Sequence, residues 1–217
     1  MLEIKSFTFG PFETNCYVVS DEQQILLIDP ACSNEYEQQQ LERYIDSLPF
    51  REGLGLGSLS IISTHGHLDH LWGAAWACEK WQTPVLMHEA DIPMAQAMQA
   101  QYDLFGIRAK AQPFPIEDIK SQISNLKSQM SNFQLLETPG HTPGSICLYS
   151  PSLQGGDGVG FLLSGDTLFR MGYGRTDLPG GNFSQLIDSL DRLFALPSDV
   201  QVFPGHGEPT TIGAERR

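Results

Sequence analysis

Short apolar runs, each cut off by Gly, Pro or a charged residue, dominate the chain, a pattern that reads as β-strands more readily than as long helices. It predicts strands at about 4–9, 15–20, 25–29, 59–63, 84–88, 133–137, 145–149, 160–164 and 200–203. Helical spacing predicts helices at about 35–48, 69–81, 90–99 and 184–195. In the last of these, Phe183, Leu186, Ile187, Leu190 and Phe194 recur three or four residues apart, and Asn182 or Ser184 stands where a cap belongs. Trp72, Trp76 and Trp81, in the helix expected after His70, have a spacing that suits partial core packing better than a substrate platform. Strands and helices alternate along most of the chain, so the class is mixed α/β. The stretches GLGLG (53–57) and GGDGVG (155–160) read as surface turns, and no composition shift divides the chain. A single domain over residues 1–217 is expected.

One segment departs from this pattern. KSQISN at 120–125 and KSQMSN at 127–132 nearly repeat each other, with apolar residues spaced three and four apart. Two copies are too few for a solenoid, so residues 119–133 read as a tolerated, repeat-bearing insertion.

Charge and cysteine usage narrow the function. The 13 Lys and Arg against 26 Asp and Glu leave a net charge of −13, which repels a phosphate backbone and argues against a nucleic-acid partner. No run approaches the ~18 apolar residues of a membrane span, and the N-terminus lacks the pattern of a secretory signal. Cys16, Cys32, Cys78 and Cys147 lie far apart among apolar neighbours, as buried reduced thiols do, which favours a cytoplasmic address.

The histidines carry the chemistry. Thr64-His65-Gly66-His67-Leu68-Asp69-His70 follows an apolar run and precedes a helical one, so a strand end delivers His65 and His67 and a helix start delivers Asp69 and His70. Three imidazoles and a carboxylate within six residues suit zinc or a first-row transition metal. Three more apolar runs end in Gly-flanked residues of ligand type: His141 in GHTPGS, Asp166 in GDT and His206 in GHG. Taken singly, His141 or His206 reads as an ordinary loop histidine. Four strand ends in agreement read as a site gathered at one sheet edge. His88 ends another run but reads as a capping or supporting residue rather than a further metal ligand.

The H-x-H-x-D-H run, followed by GHTPGS, GDT and the terminal GHG, resembles the metallo-β-lactamase superfamily, and GDTLFRMGYGRTDLPGG at 165–181 is similar to its single-domain glyoxalase II-like hydrolases. That resemblance implies a four-layer αββα sandwich with two divalent metal ions at one edge, zinc in the first place and iron or manganese as the other candidates. It implies that His65, His67 and His141 hold one ion, that Asp69, His70 and His206 hold the second, and that Asp166 bridges them. Asp29 would orient a ligand, and Asp69 would also act on the proton of a metal-bridging hydroxide, the nucleophile. The implied reaction is hydrolysis of a small-molecule thioester or ester such as S-lactoylglutathione. Tyr173 and Arg175, beside the Asp166 strand end, offer a substrate a stacking surface and a cation, and Arg175 reads equally as one half of a structural salt bridge. Hydrolysis of β-lactams is disfavoured, because His70 stands where those enzymes often carry Arg and no Cys falls at a ligand position. The other implied chemistry is that of mono-iron persulfide dioxygenases, which oxidise a glutathione persulfide.

Overall fold

The computed structural model describes residues 2–21, 24–48, 59–122, 133–151 and 159–216. The GLGLG stretch, most of GGDGVG and residues 123–132 of the repeat lie outside them. A six-stranded sheet runs in the order β1 (Glu3–Phe9), β2 (Thr14–Ser20), β3 (Ile25–Ile28), β4 (Leu59–Ile62), β5 (Val85–Met87), β6 (Ile116–Asp118). β1, β2 and β3 are antiparallel neighbours, whereas β3 through β6 are parallel. A second sheet has the order β13 (Thr210–Thr211), β12 (Gln201–Pro204), β9 (Phe161–Gly165), β8 (Ile146–Ser150), β7 (Gln134–Glu137). β10 (Leu168–Phe169) and β11 (Gly172–Tyr173) form a small hairpin.

Period-two alternation makes the layers. On β2, Cys16 and Val18 face an outer core while Tyr17 and Val19 face the other sheet. On β3, Ile25 and Leu27 go outward and Leu26 and Ile28 inward. The second sheet answers with Ile146, Leu148, Phe161 and Leu163 inward, and with Cys147, Tyr149 and Leu162 outward. Strands with apolar residues on both faces must be covered on both sides, and helices do it. α1 (Glu35–Ser47) and α2 (Ala74–Trp81) cover the first sheet, and α5 (Phe183–Phe194) covers the second. Leu186, Leu190 and Leu193 are the buried face of α5. Truncating one of them to Ala would cost about 2–5 kcal/mol. The result is the expected αββα sandwich.

Several local expectations hold. Asn182 caps α5, its side chain accepting from the Gln185 amide. Trp81 is buried, while Trp72 and Trp76 are half-buried against the outer core. His88 caps a 3₁₀ turn at Glu89–Asp91 by accepting from the Ala90 N–H. All four thiols are free and buried.

Two helices differ from their sequence patterns. The helix expected at 69–81 begins only at Ala74, because residues 68–70 form a turn and the Gly73 N–H is spent on Pro30 O at 2.8 Å. A Cβ at Gly73 would lie 2.9 Å from that same oxygen, so the chain here is pressed against the end of β3. Asp69 and His70 therefore sit in a tight turn before the helix and not on its first turn. The helix expected at 90–99 is the 3₁₀ turn plus α3 (Ile92–Gln96) and α4 (Met98–Leu104), which bend at Ala97. A last short helix, α6 (Ile212–Glu215), follows β13.

Candidate metal centre

The ends of β3, β4, β7, β9 and β12 meet at one edge of the sandwich. The loop after β4 carries His65, His67, Asp69 and His70, the β7–β8 loop carries His141, and Asp166 and His206 follow β9 and β12. All seven residues singled out in the sequence come together there. Their ligand atoms fall into three overlapping groups, each within 4.8 Å: His65, His67 and His141; His65, His70 and Asp166; Asp69, His70 and His206.

Asp166 is central. Its Oδ2 lies 3.5 Å from His141 Nε2 and 3.6 Å from His206 Nε2, and its Oδ1 lies 3.3 Å from His70 Nε2. On one side, His67 Nδ1 and His141 Nε2 stand 2.9 Å apart. On the other, Asp69 Oδ2 is 3.2 Å from His206 Nε2 and 3.5 Å from His70 Nε2.

The far side of each ring decides what the near side offers. His141 Nδ1 donates to Arg175 O at 2.7 Å, and His206 Nδ1 to Phe12 O at 3.1 Å. A carbonyl only accepts, so the proton sits on Nδ1 and the Nε2 lone pair faces the cluster. Asp29 sets the other two rings. Its Oδ2 takes the His70 Nδ1–H at 2.9 Å and the Thr64 hydroxyl proton at 2.8 Å, and its Oδ1 takes the Thr64 amide at 2.7 Å. With its proton spent, Thr64 Oγ1 accepts from His65 Nδ1 at 3.1 Å, so the His65 Nε2 lone pair also points inward. Asp29 is buried and holds φ +52°, a turn conformation that Asp tolerates better than most residues.

The near side is unsatisfied. His65 Nε2, His70 Nε2 and Asp166 Oδ1 are buried without a hydrogen-bond partner, the last two 3.3 Å apart but misaligned for one. Buried polar atoms are rarely left so, and here three orphaned atoms converge on one space. Imidazole and carboxylate donors of this kind fit two divalent ions of the zinc, iron or manganese type.

The charge balance agrees. Burial and the neighbouring imidazoles push His65 well below the ordinary histidine value and His67 down to about 4, so both are neutral lone-pair donors. Burial opposes charge on His70, but Asp166, Asp69 and Asp29 overcome it and hold that ring protonated. Burial would likewise raise Asp69 and Asp166, and His70 foremost holds both carboxylates below their usual range. A proton on His70 offsets only part of the charge of the Asp166, Asp69 and Asp29 carboxylates around it, and a divalent ion bound there would supply positive charge in its place.

Close packing keeps the cluster tight. A Cβ at Gly205 would lie 2.2 Å from Asp166 Oδ1 and 2.7 Å from His70 Cε1. Gly140 has φ +140°, and a Cβ there would strike Leu186 of α5 at 2.3 Å from its backbone nitrogen.

Three supporting residues escaped the sequence reading. Asp91, fully buried, accepts from the Gly66 and Gly144 amides and the Thr142 hydroxyl, clamping the His67 loop to the His141 loop. Gln101 on α4 holds the Leu68 N–H and the Gly66 carbonyl. Thr14 donates to Asp69 Oδ2 at 2.9 Å. Each binds from a distant segment, and only the Glu-Ala-Asp after His88 carried a hint in its polar cluster.

Tyr173 and Arg175 line a cavity of about 370 Å³ that also takes in His67, Asp69, His141, Asp166 and His206. Tyr173 is half exposed, and the Arg175 guanidinium is gripped at both ends by Asp177, Nε–Oδ1 and Nη2–Oδ2 each at 2.7 Å.

Residues 9–206 match the family model of the metallo-beta-lactamase superfamily. A probable metallo-hydrolase, YqgX of Bacillus subtilis, is 33% identical over 95% of this chain and 91% of its own. The hydroxyacylglutathione hydrolase GloC of Haemophilus influenzae is 32% identical over 100% of this chain and 96% of its own. Among solved structures, TTHA1623 in a di-iron-bound form is similar with a TM-score of 0.79 at 33% identity, over 98% of this chain and 97% of that one. The B3 metallo-beta-lactamase BLEG-1 is similar with a TM-score of 0.76 at 29% identity, over 98% and 96%. Among the described residues, no helix is long and apolar enough to cross a membrane.

Proposed function

This chain belongs to the metallo-beta-lactamase superfamily, and on that footing we propose that it is a dinuclear metal-dependent hydrolase of thioesters. The observation that carries the reading is the convergence of orphaned buried atoms, His65 Nε2, His70 Nε2 and Asp166 Oδ1, on a space ringed by four further ligand-type side chains. His65, His67 and His141 would hold one ion, Asp69, His70 and His206 the other, and Asp166 would reach both. Ions so held supply a water of pKa ~7 and Lewis-acid polarisation of an acyl carbonyl.

The chain's own groups do the rest. Asp69, steadied by the Thr14 hydroxyl, is placed to accept a hydrogen bond from the attacking water and orient it. Asp29 and Thr64 fix the rings of His70 and His65, so the site is organised before substrate arrives. No thiol competes as nucleophile, since all four are buried. Similarity to GloC supports a glutathione thioester such as S-lactoylglutathione as the first substrate to try.

The test is a screen of glutathione thioesters, simple esters and a chromogenic cephalosporin, with metal quantified on the same sample. Thioester turnover with two ions per chain supports the proposal, and Asp69→Ala then loses both turnover and metal. The cephalosporin is included because of the likeness to BLEG-1. The second reading is mono-iron oxidation of a glutathione persulfide: the similar TTHA1623 is described in a di-iron-bound form, which supports iron as the metal though not a single ion. One iron per chain with oxygen uptake, and no hydrolysis, would replace the hydrolase.

A further inference from the structure

Beside the ligand cluster lies a second cavity of about 360 Å³, bounded by α3, α4 and the Leu178–Pro179 turn. It shares His67, Gln101, Phe105 and Leu178 with the cavity that contains Asp69, His141, Asp166 and His206. The remaining wall is apolar: Pro93, Met94, Ala97, Ala100 and Leu104. Gln101 has no proton left to donate to an occupant. Its Oε1 accepts from Leu68 N at 2.9 Å, and its Nε2 donates to Gly66 O at 2.9 Å and Met94 O at 3.0 Å. A polar group entering this space would exchange its hydrogen bonds to water for at most the second lone pair of Gln101 Oε1 on this helical wall.

Charge points the same way. Arg175 is the single Lys or Arg on either wall, and Asp177 already neutralises it. Of the seven large apolar side chains exposed among the described residues, four (Phe12, Leu104, Phe105 and Tyr173) line these two cavities, so the apolar surface is concentrated at this mouth. The cavity is also held in place. A Cβ at Gly66 would lie 3.1 Å from Met94 Cβ, so α3 packs directly on the loop between His65 and His67.

We propose that this cavity is the acyl pocket, and that the substrate is a thioester with an apolar acyl chain or ring in place of a small hydroxylated group. The inference rests on the hydrolase reading and narrows its substrate. In a thioester of a carrier thiol the thiol arm is polar, so the arm that suits an unsatisfying apolar wall is the acyl one. The carbonyl then lies at the His67 end, beside the ligand cluster, and the thiol arm extends toward Tyr173 and Arg175. The reaction adds the water oxygen to the acyl carbon and breaks the C–S bond. One water proton leaves with the thiol, and the products are that thiol and an apolar carboxylic acid. The size fits a small organic group.

The test compares S-lactoyl-, S-acetyl-, S-butyryl- and S-hexanoylglutathione on the metal-loaded protein. Each fully buried methylene raises kcat/KM about three- to fourfold, so hexanoyl should exceed acetyl by at least tenfold and by about 100-fold at full burial. Ala100→Phe, an exposed helical site where the fold tolerates bulk, should collapse the hexanoyl-to-acetyl ratio toward one, and Ala97→Leu should lower it. A second readout needs no turnover: by calorimetry, S-hexylglutathione should bind at least tenfold tighter than S-methylglutathione, and Ala100→Phe should erase the difference. A flat or inverted chain-length series, or equal binding of the two thioethers, overturns the pocket even if hydrolysis is fast. Tight S-hexyl binding without hydrolysis of any thioester keeps the pocket and sinks the hydrolase.

Discussion

Asp29→Asn tests the reasoning about ring orientation most sharply. The change keeps the shape and the φ of +52°, which Asn also tolerates, and alters only donor and acceptor character. If the Asn oxygen keeps the Thr64 amide, its NH₂ meets two donors, Thr64 Oγ1 and His70 Nδ1, which now sit 2.8 and 2.9 Å from Asp29 Oδ2. Relief comes by moving protons. His70 shifts its proton to Nε2, 3.3 Å from Asp166 Oδ1, and Thr64 turns its hydroxyl toward His65 Nδ1. In the neutral tautomers then favoured, neither ring would offer an ion an inward lone pair. A buried hydrogen bond to a charged group contributes about 1.5–3 kcal/mol. At 1.36 kcal/mol per factor of ten that is roughly 10- to 150-fold, in line with the 10–100-fold typical of partners behind metal-bound histidines. Competition against a chromophoric zinc chelator should show both affinities falling by about 10–100-fold, with thermal unfolding of the metal-free protein still cooperative. Thr64→Val, which spares the His70 arm, should weaken mainly the ion beside His65. Zinc affinities within threefold of wild type in Asp29→Asn would refute the tautomer argument.

Three further outcomes are expected. Gly205→Ala drives a methyl group into the space of Asp166 Oδ1 and His70, so turnover should fall about 100-fold with the secondary structure intact by circular dichroism; wild-type activity would mean the contact is not limiting. Burial pushes Cys78 and Cys147 up to about 11 and Cys32 up to about 12, whereas unfolded thiols ionise near ~8.5. Protonated thiols therefore favour the fold up to that pH, and the benefit fades toward the folded values by up to about 1.4 kcal/mol per thiol per pH unit, so the urea midpoint should drop between pH 8 and pH 10, and a constant midpoint would contradict their burial. Deleting one copy of the heptad, residues 120–126, should leave metal content unchanged, because Ile119 and Phe133 are buried in the core between the sheets and apart from the ligand cluster; loss of metal would make the segment structural.

The longer strands were legible because their alternation is dictated by having a core on each face, as on β2 and β3. Of the two- and three-residue strands, β5 was read from its apolar run at 84–88, whereas β6, β10, β11 and β13 were not, since so short a run carries no period. The start of α2 was misplaced by five residues for a tertiary reason: the Gly73 N–H bonds to Pro30 O, and helical propensity cannot foresee that. Ligand-type residues announced themselves through Gly-flanked strand ends. Their supports, Thr14, Asp91 and Gln101, look like ordinary polar residues until distant segments are brought together. Arg175 shows the limit from the other side: its type suggested a substrate cation and a structural salt bridge equally, and only the structure shows Asp177 gripping it.

Anomalous diffraction at the metal's absorption edge, on crystals grown from protein loaded with zinc, tests the central claim most directly. Two peaks per chain are predicted, one among His65, His67 and His141 and one among Asp69, His70 and His206, with Asp166 reaching both. A single peak elsewhere on the molecule, or none within that ring of side chains, would contradict the account.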